Sequence, residues 1–182
     1  ILRTRITIRA AMHQARKTDS PMTPAGIERL EIRSPSEGDI QDLLALEHVC
    51  FDAPYYRPHR FTRSEFVSYL RNPDAVFWAA MQQQLLIGYI AGYRGVRSRS
   101  RSAHIESLAV ALTARRRGIG GLLMRRFLDE AKRRGSRRVT LEVAEANERA
   151  RPFFATLGFK LVRRLAAYYG GRYDGLRLGR AL

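Results

Sequence analysis

Three groups of residues in this sequence have the types and spacing to do chemistry. The first is Arg115-Arg116-Arg117-Gly118-Ile119-Gly120-Gly121, set between an apolar run and an amphipathic one. Glycines at a helix start let the backbone approach an anion, which the unpaired N–H groups and the helix dipole then hold. Without an anion the same string is a plain tight turn. It is not a Walker loop, because no Lys-Ser/Thr pair follows the glycines. It is not the Gly-x-Gly-x-x-Gly dinucleotide fingerprint either, because Leu123 stands where the third glycine belongs. The second group is two carboxylates inside apolar strings, Glu142 after Val139-Thr140-Leu141 and Glu106 between Ile105 and Ser107. Burying a carboxylate unpaired is costly, so each must accept a proton, read a cationic amine or pair with an arginine. The third is Cys50, the nucleophile a ping-pong transfer would need. It ends an apolar helical face with no histidine at fixed spacing, which reads as a core cysteine. Histidines 13, 48, 59 and 104 show no ligand spacing, so no metal is expected.

The elements that must position these groups follow from periodicity. Residues 28–34 read as a strand ending at Ser34-Pro35, and Ser36 offers an N-cap to a helix running to Phe51. DAPYYRPHRFT (52–62) is an irregular loop, and a short helix covers 63–71. AVFWAAM (75–81) and LLIGYIAGY (85–93) form an antiparallel hairpin. A strand at 103–111 leads into a helix over 118–134, which closes on Gly135 with basic residues at its negative end. Strand 137–144, helix 147–158 and strands 159–169 and 174–181 complete the chain. On strand 137–144, alternation puts Thr140, Glu142 and Ala144 on one face and Val139, Leu141 and Val143 on the other. This order implies a mixed α/β sheet.

Composition bounds the function. The chain has 182 residues, 45% of them hydrophobic, which is enough for one domain with a real core. No apolar run approaches the roughly 18 residues of a membrane span, so no membrane partner is expected. One cysteine fits a cytoplasmic location. Net charge is +16, with 30 arginines against three lysines. That charge either attracts phosphates, ribosomes and acidic substrates or reflects a general bias toward arginine. Residues 1–26 read as a basic, flexible N-terminal extension, and 27–182 as the domain. Arg97-Ser98-Arg99-Ser100-Arg101-Ser102 reads as a solvated hairpin loop, with nucleic acid or ribosome contact as its functional alternative.

With its neighbours, the glycine string resembles the acetyl-CoA motif of the GNAT acyltransferase superfamily. Arg115-x-x-Gly118-x-Gly120 follows the strand Ile105 to Val110. Leu141-Glu142-Val143 with Asn147 comes next, then Phe153-Phe154-x-x-Leu157-Gly158-Phe159. These pieces stand in the family's order over residues 105–159. Within the superfamily the chain is most similar to RimI-like protein N-terminal acetyltransferases, through His104 to Val110, the Glu142…Asn147 spacing, and Tyr168-Tyr169 followed by Asp174.

The resemblance implies a GNAT fold of the α/β (α+β) class. Its mixed, mostly antiparallel twisted sheet has six to seven strands, four flanking helices and splayed central parallel strands. It implies acetyl-CoA as cosubstrate and no metal. The backbone near Leu108, Ala109 and Val110 would meet the thioester and the pantetheine arm, and the amides of Arg115, Arg116, Arg117, Gly118, Ile119, Gly120 and Gly121 the pyrophosphate. Asn147 and Phe154 would lie along the arm. Glu142 is the first candidate for general base, Glu106 the second. Many family members carry a tyrosine where Phe154 stands, so Tyr168 or water would have to protonate the departing thiolate. Phe51, Tyr168 and Tyr169 would line the acceptor groove. The acceptor is then a protein or peptide N-terminus or a small amine such as a polyamine or aminoglycoside, the enzyme a monomer or homodimer. A basic RNA-binding or ribosome-binding module on a degenerate fold is the non-enzymatic alternative, against which the intact glycines argue.

Overall fold

The computed structural model describes residues 5–6, 30–94 and 101–182. Its elements are β1 (Arg5–Ile6), β2 (Leu30–Arg33), α1 (Ile40–Cys50), α2 (Arg63–Arg71), β3 (Ala75–Gln82), β4 (Leu85–Arg94) and β5 (Ser102–Val110). They continue with α3 (Ile119–Arg133), β6 (Arg138–Ala144), α4 (Ala150–Thr156), β7 (Lys160–Tyr169) and β8 (Tyr173–Ala181). Seven strands run in the order β2-β3-β4-β5-β6-β8-β7, and β1 pairs with β5 outside that path. Within the path every pair is antiparallel except the central β5–β6. The mixed, mostly antiparallel sheet and four helices expected from the sequence are present. Apart from Arg5–Ile6, the extension 1–26 lies outside the described residues, as do Arg97 to Ser100.

Two layers cover the sheet. Leu123, Phe127 and Ala131, spaced by four, turn one stripe of α3 onto Ile90, Ile105, Val139 and Leu141. On the other face α1 and α2 cover rings of the sheet, with Phe66 of α2 packed on Phe77 and Tyr89. Helix α2 starts with a reciprocal cap: Glu65 N–H donates to Thr62 Oγ1 at 3.4 Å, and Thr62 N–H to Glu65 Oε2 at 2.7 Å. Helix α3 ends at Gly135, whose φ of 85° is the left-handed value a C-cap glycine adopts.

The central strands part company. Pairing of β5 with β6 runs only from Ser102↔Arg138 to Ile105↔Leu141, and both strands continue beyond it. A bulge marks the fork: Ala91 pairs with Ser107 but Gly92 with Ile105, so Glu106 is an extra residue. At Gly92 a Cβ would stand 2.1 Å from the His104 carbonyl oxygen. Only glycine fits against the bulge.

Candidate active site

The fork between β5 and β6 gathers the first group of functional side chains. Strand register sets His104 beside Thr140 and Glu142 beside Arg177. Glu142 is fully buried, its Oε1 accepts from Arg177 Nε at 2.6 Å, and its Oε2 lies 3.1 Å from His104 Nε2. His104 Nδ1 lies 2.9 Å from the Thr140 hydroxyl. The imidazole is 28% exposed. A buried carboxylate is thus fixed from one side by a guanidinium and joined on the other to a ring that reaches solvent. Such a pair can pass a proton between the buried carboxylate and solvent.

Beyond the fork each strand exposes an edge. Backbone N–H groups alternate along a strand, and Ala111 N–H donates to Ile87 O on β4 at 2.8 Å. Those of Val110 and Leu108 therefore face the opened side. There β1 runs parallel to β5, with Arg5 beside Ser107 and Ile6 beside Leu108. Past β5, the Val110 carbonyl accepts Arg115 Nε at 2.9 Å, and Arg115 also touches Cys50 Sγ at 3.8 Å. Burial pushes the Cys50 thiol up to about 11 despite Arg115, so it carries no thiolate at neutral pH. That leaves the ping-pong reading without a nucleophile.

Arg116 (φ 62°) and Gly118 (φ 81°) are left-handed, and residues 116–118 are exposed at the start of α3. The first α-helical bond runs from Leu122 N–H to Gly118 O at 3.0 Å, so the N–H groups of Ile119, Gly120 and Gly121 lie outside the helical ladder. A Cβ at Gly120 would meet Phe153 Cζ at 3.3 Å. Phe154 is fully buried among Phe153 and Phe159 in the α3–α4 layer.

On the β6 edge, Asn147 is buried at the turn into α4. Tyr56, from the segment between α1 and α2, accepts from Ala144 N–H at 3.1 Å and from Asn147 Nδ2 at 3.4 Å. Its ring stands edge-on to those of Phe51 and Tyr169, with centroids at 5.6 and 5.3 Å. Tyr168 packs 5.0 Å from Tyr169. Glu106 lies apart from Glu142 in partners: buried Tyr69 donates to it, and burial together with this carboxylate raises the Tyr69 hydroxyl well above its ordinary value. Glu47 likewise accepts from the buried Tyr89, which also bonds Ser107 at 2.8 Å. Among the described residues no three His, Cys, Asp or Glu side chains converge on a point that could hold a metal ion.

The family model of the acetyltransferase (GNAT) family matches residues 40–159, which span α1, the fork, the glycine turn and α4. The chain belongs to this family. It is a GNAT acetyl-CoA-dependent N-acetyltransferase. An N-alpha-acetyltransferase of Saccharolobus solfataricus is 26% identical over 160 residues, 83% of this chain and 92% of that one. The crystal structure of Ard1 from Thermoplasma volcanium superposes with a TM-score of 0.74 at 25% identity, covering 84% and 97% of the two chains. The Escherichia coli ribosomal-protein-S18-alanine N-acetyltransferase shares the fold, with a TM-score of 0.70 at 20% identity over 84% and 94%.

In this GNAT chain Phe51, Tyr169 and Asn147 converge around Tyr56, while Glu142 meets His104 and Arg177 at the fork. Glu106 instead joins Tyr69. The sequence reading assigned no role to His104, Arg177 or Tyr56. For His104 a signal existed, since it stands two residues before Glu106 on the same strand. For Tyr56 none did, because its partners Ala144 and Asn147 are 88 and 91 positions away.

Proposed function

We propose that this GNAT enzyme acetylates the N-terminal amine of a protein or peptide by direct attack. The observation that carries the reading is the fork, which has a hydrogen-bonding edge on one side, a wall of rings on the other and the Glu142–His104 pair at its base. Acetyl-CoA, when bound, supplies an acetyl thioester. Its fit is supported by the β5 edge, which accepts an extended backbone from Arg5–Ile6. The turn at 116–121 fits too, with outward N–H groups, exposed arginines and a glycine at 120 where a Cβ would crowd Phe153. The arm and Arg5–Ile6 cannot share one edge, so binding displaces that strand.

Glu142 is the proton acceptor for the attacking ammonium, and His104 shares that proton. Leu108 N–H, facing the opened side, stabilises the oxyanion. Asn147 and the edge from Leu108 to Val110 hold the arm, and Arg116 and Arg117 add charge at the pyrophosphate. Phe51, Tyr168 and Tyr169 form the acceptor wall, where half-buried Tyr168 joins the buried rings of Phe51 and Tyr169, a surface that fits an extended peptide better than a hydrated polyamine. The names of the N-alpha-acetyltransferase relatives support the same acceptor. The test is a screen of N-terminal peptides against polyamines and aminoglycosides, read by CoA release. Turnover of small amines at the expense of every peptide refutes the acceptor assignment.

A further inference from the structure

Acyl transfer from a thioester needs a proton at two places, one leaving the amine and one arriving at sulfur. The sequence leaves the second to Tyr168 or water, since Phe154 has no hydroxyl and is packed among apolar rings. We infer that Tyr56 is the proton donor to the departing thiolate, an assignment that rests on the acetyl-transfer reading above.

The argument starts from direction. Glu145 N–H donates to Asp174 O beside β8 at 2.9 Å, so the preceding N–H, that of Ala144, points to the opposite side of β6, toward β5. Tyr56 Oη accepts that N–H and therefore sits in the opening between the splayed strands. It faces the β5 edge where Leu108 N–H points, and Asn147 Nδ2 holds it from a second side. A phenol oxygen that accepts two N–H bonds still carries an O–H of its own, the kind of proton a departing thiolate needs. Tyr168, one of the two phenols of the wall, packs its ring on β8, where a Cβ at Gly175 would lie 3.1 Å from Tyr168 Cδ1.

The step balances. As the carbonyl carbon–sulfur bond breaks and its electron pair moves to sulfur, the Tyr56 O–H bond breaks and an S–H bond forms. Ala144 N–H and Asn147 Nδ2 hold the tyrosinate until it takes a proton from solvent. The proton lost by the amine goes separately to Glu142.

The test compares full-length variants of a parent that turns over. Tyr56→Phe keeps the ring against Phe51 and Tyr169 and is expected to lower kcat about tenfold or more, with KM for acetyl-CoA changed less than about threefold. Independently of turnover, the thiol of bound CoA, followed by its thiolate absorbance, should ionise at higher pH in Tyr56→Phe. Should that variant fail to fold, Tyr56→3-fluorotyrosine keeps the accepting oxygen and makes the phenol more acidic. It should then move the alkaline limb of the kcat profile to lower pH. An unmoved limb and an unchanged CoA thiol titration overturn the inference, as does loss of the limb in Tyr168→Phe but not in Tyr56→Phe. A folded parent that binds no acetyl-CoA overturns the acetyl-transfer reading instead.

Discussion

The two faces of the sheet are built from different chemistry. Under α3 and α4 the packed side chains are apolar: Leu123, Phe127, Val139, Leu141 and Phe154 repeat at helical and strand spacing. Under α1 and α2 the layer is mostly rings, and the buried carboxylates Glu47 and Glu106 are each held there by a tyrosine. Glu142 alternates with Leu141 and Val143 on β6 and so shares this second face with Ala144. In the function proposed above, the difference matches two tasks. A cosubstrate common to a whole family is met by backbone N–H groups and a glycine turn on an apolar support. An acceptor that must be chosen among many amines is met by side chains.

The sharpest break of that division is Gly120→Glu, on the cosubstrate side. A carboxylate and extra bulk at the helix start would crowd Phe153 and repel pyrophosphate, so acetyl-CoA binding should vanish. Calorimetry on the folded variant checks it. Retained micromolar affinity would put the pyrophosphate elsewhere.

On the acceptor side, Glu142→Gln should reduce turnover by roughly 10²-fold, the usual range for a lost acid–base group. Gln keeps the size but cannot accept an ammonium proton. Turnover should recover in part at high pH, where the amine is already free, while acetyl-CoA binding stays nearly unchanged. If Glu106→Gln is the inactive variant and Glu142→Gln is not, the base sits beside Tyr69 and not at the fork.

Stability should divide along the same line. Phe127→Ala opens a cavity in the apolar layer and should cost about 3–5 kcal/mol in urea unfolding. Tyr89→Phe removes the hydroxyl that Glu47 and Ser107 share and should cost about 1–3 kcal/mol, the range for a buried group left unsatisfied. A larger loss at Tyr89 than at Phe127 would mean that the polar layer, and not the apolar one, carries the fold.

The apolar face was also the more legible one. Its strands and α3 follow local periodicity, and the hairpin read at 75–81 and 85–93 lies within a residue of Ala75–Gln82 and Leu85–Arg94. Helix α4 is shorter than the stretch 147–158, because Asn147 N–H turns back to Ala144 O at 2.9 Å and the helix proper starts only at Ala150. Glu142 and Asn147 could be picked out because a short motif carries both. The bulge at Glu106, the demand for glycine at 92 and the Tyr56 bond to Ala144 could not. Each depends on strand register or on a loop meeting a distant strand, and neither leaves a periodic trace.

The smallest effect belongs to a carboxylate outside both layers. Glu130, on α3, is held down to about 2 by hydrogen bonds from Arg133 and Arg134, against an ordinary value of 4.5. A depressed carboxyl contributes stability that is fully present above pH 4.5 and is lost as pH falls toward 2. Arg133 is 71% exposed, so solvent screens the contribution and salt weakens it further. Glu130→Gln should therefore lower Tm slightly at pH 7. The gap between parent and variant should close between pH 4.5 and 2, and ~0.5 M salt should narrow it at pH 7. A gap that persists at low pH would mean that Glu130 acts through packing. The contrast between an arginine-paired carboxylate on α3 and the ring-bound ones under α1 and α2 would then have to be drawn from shape alone.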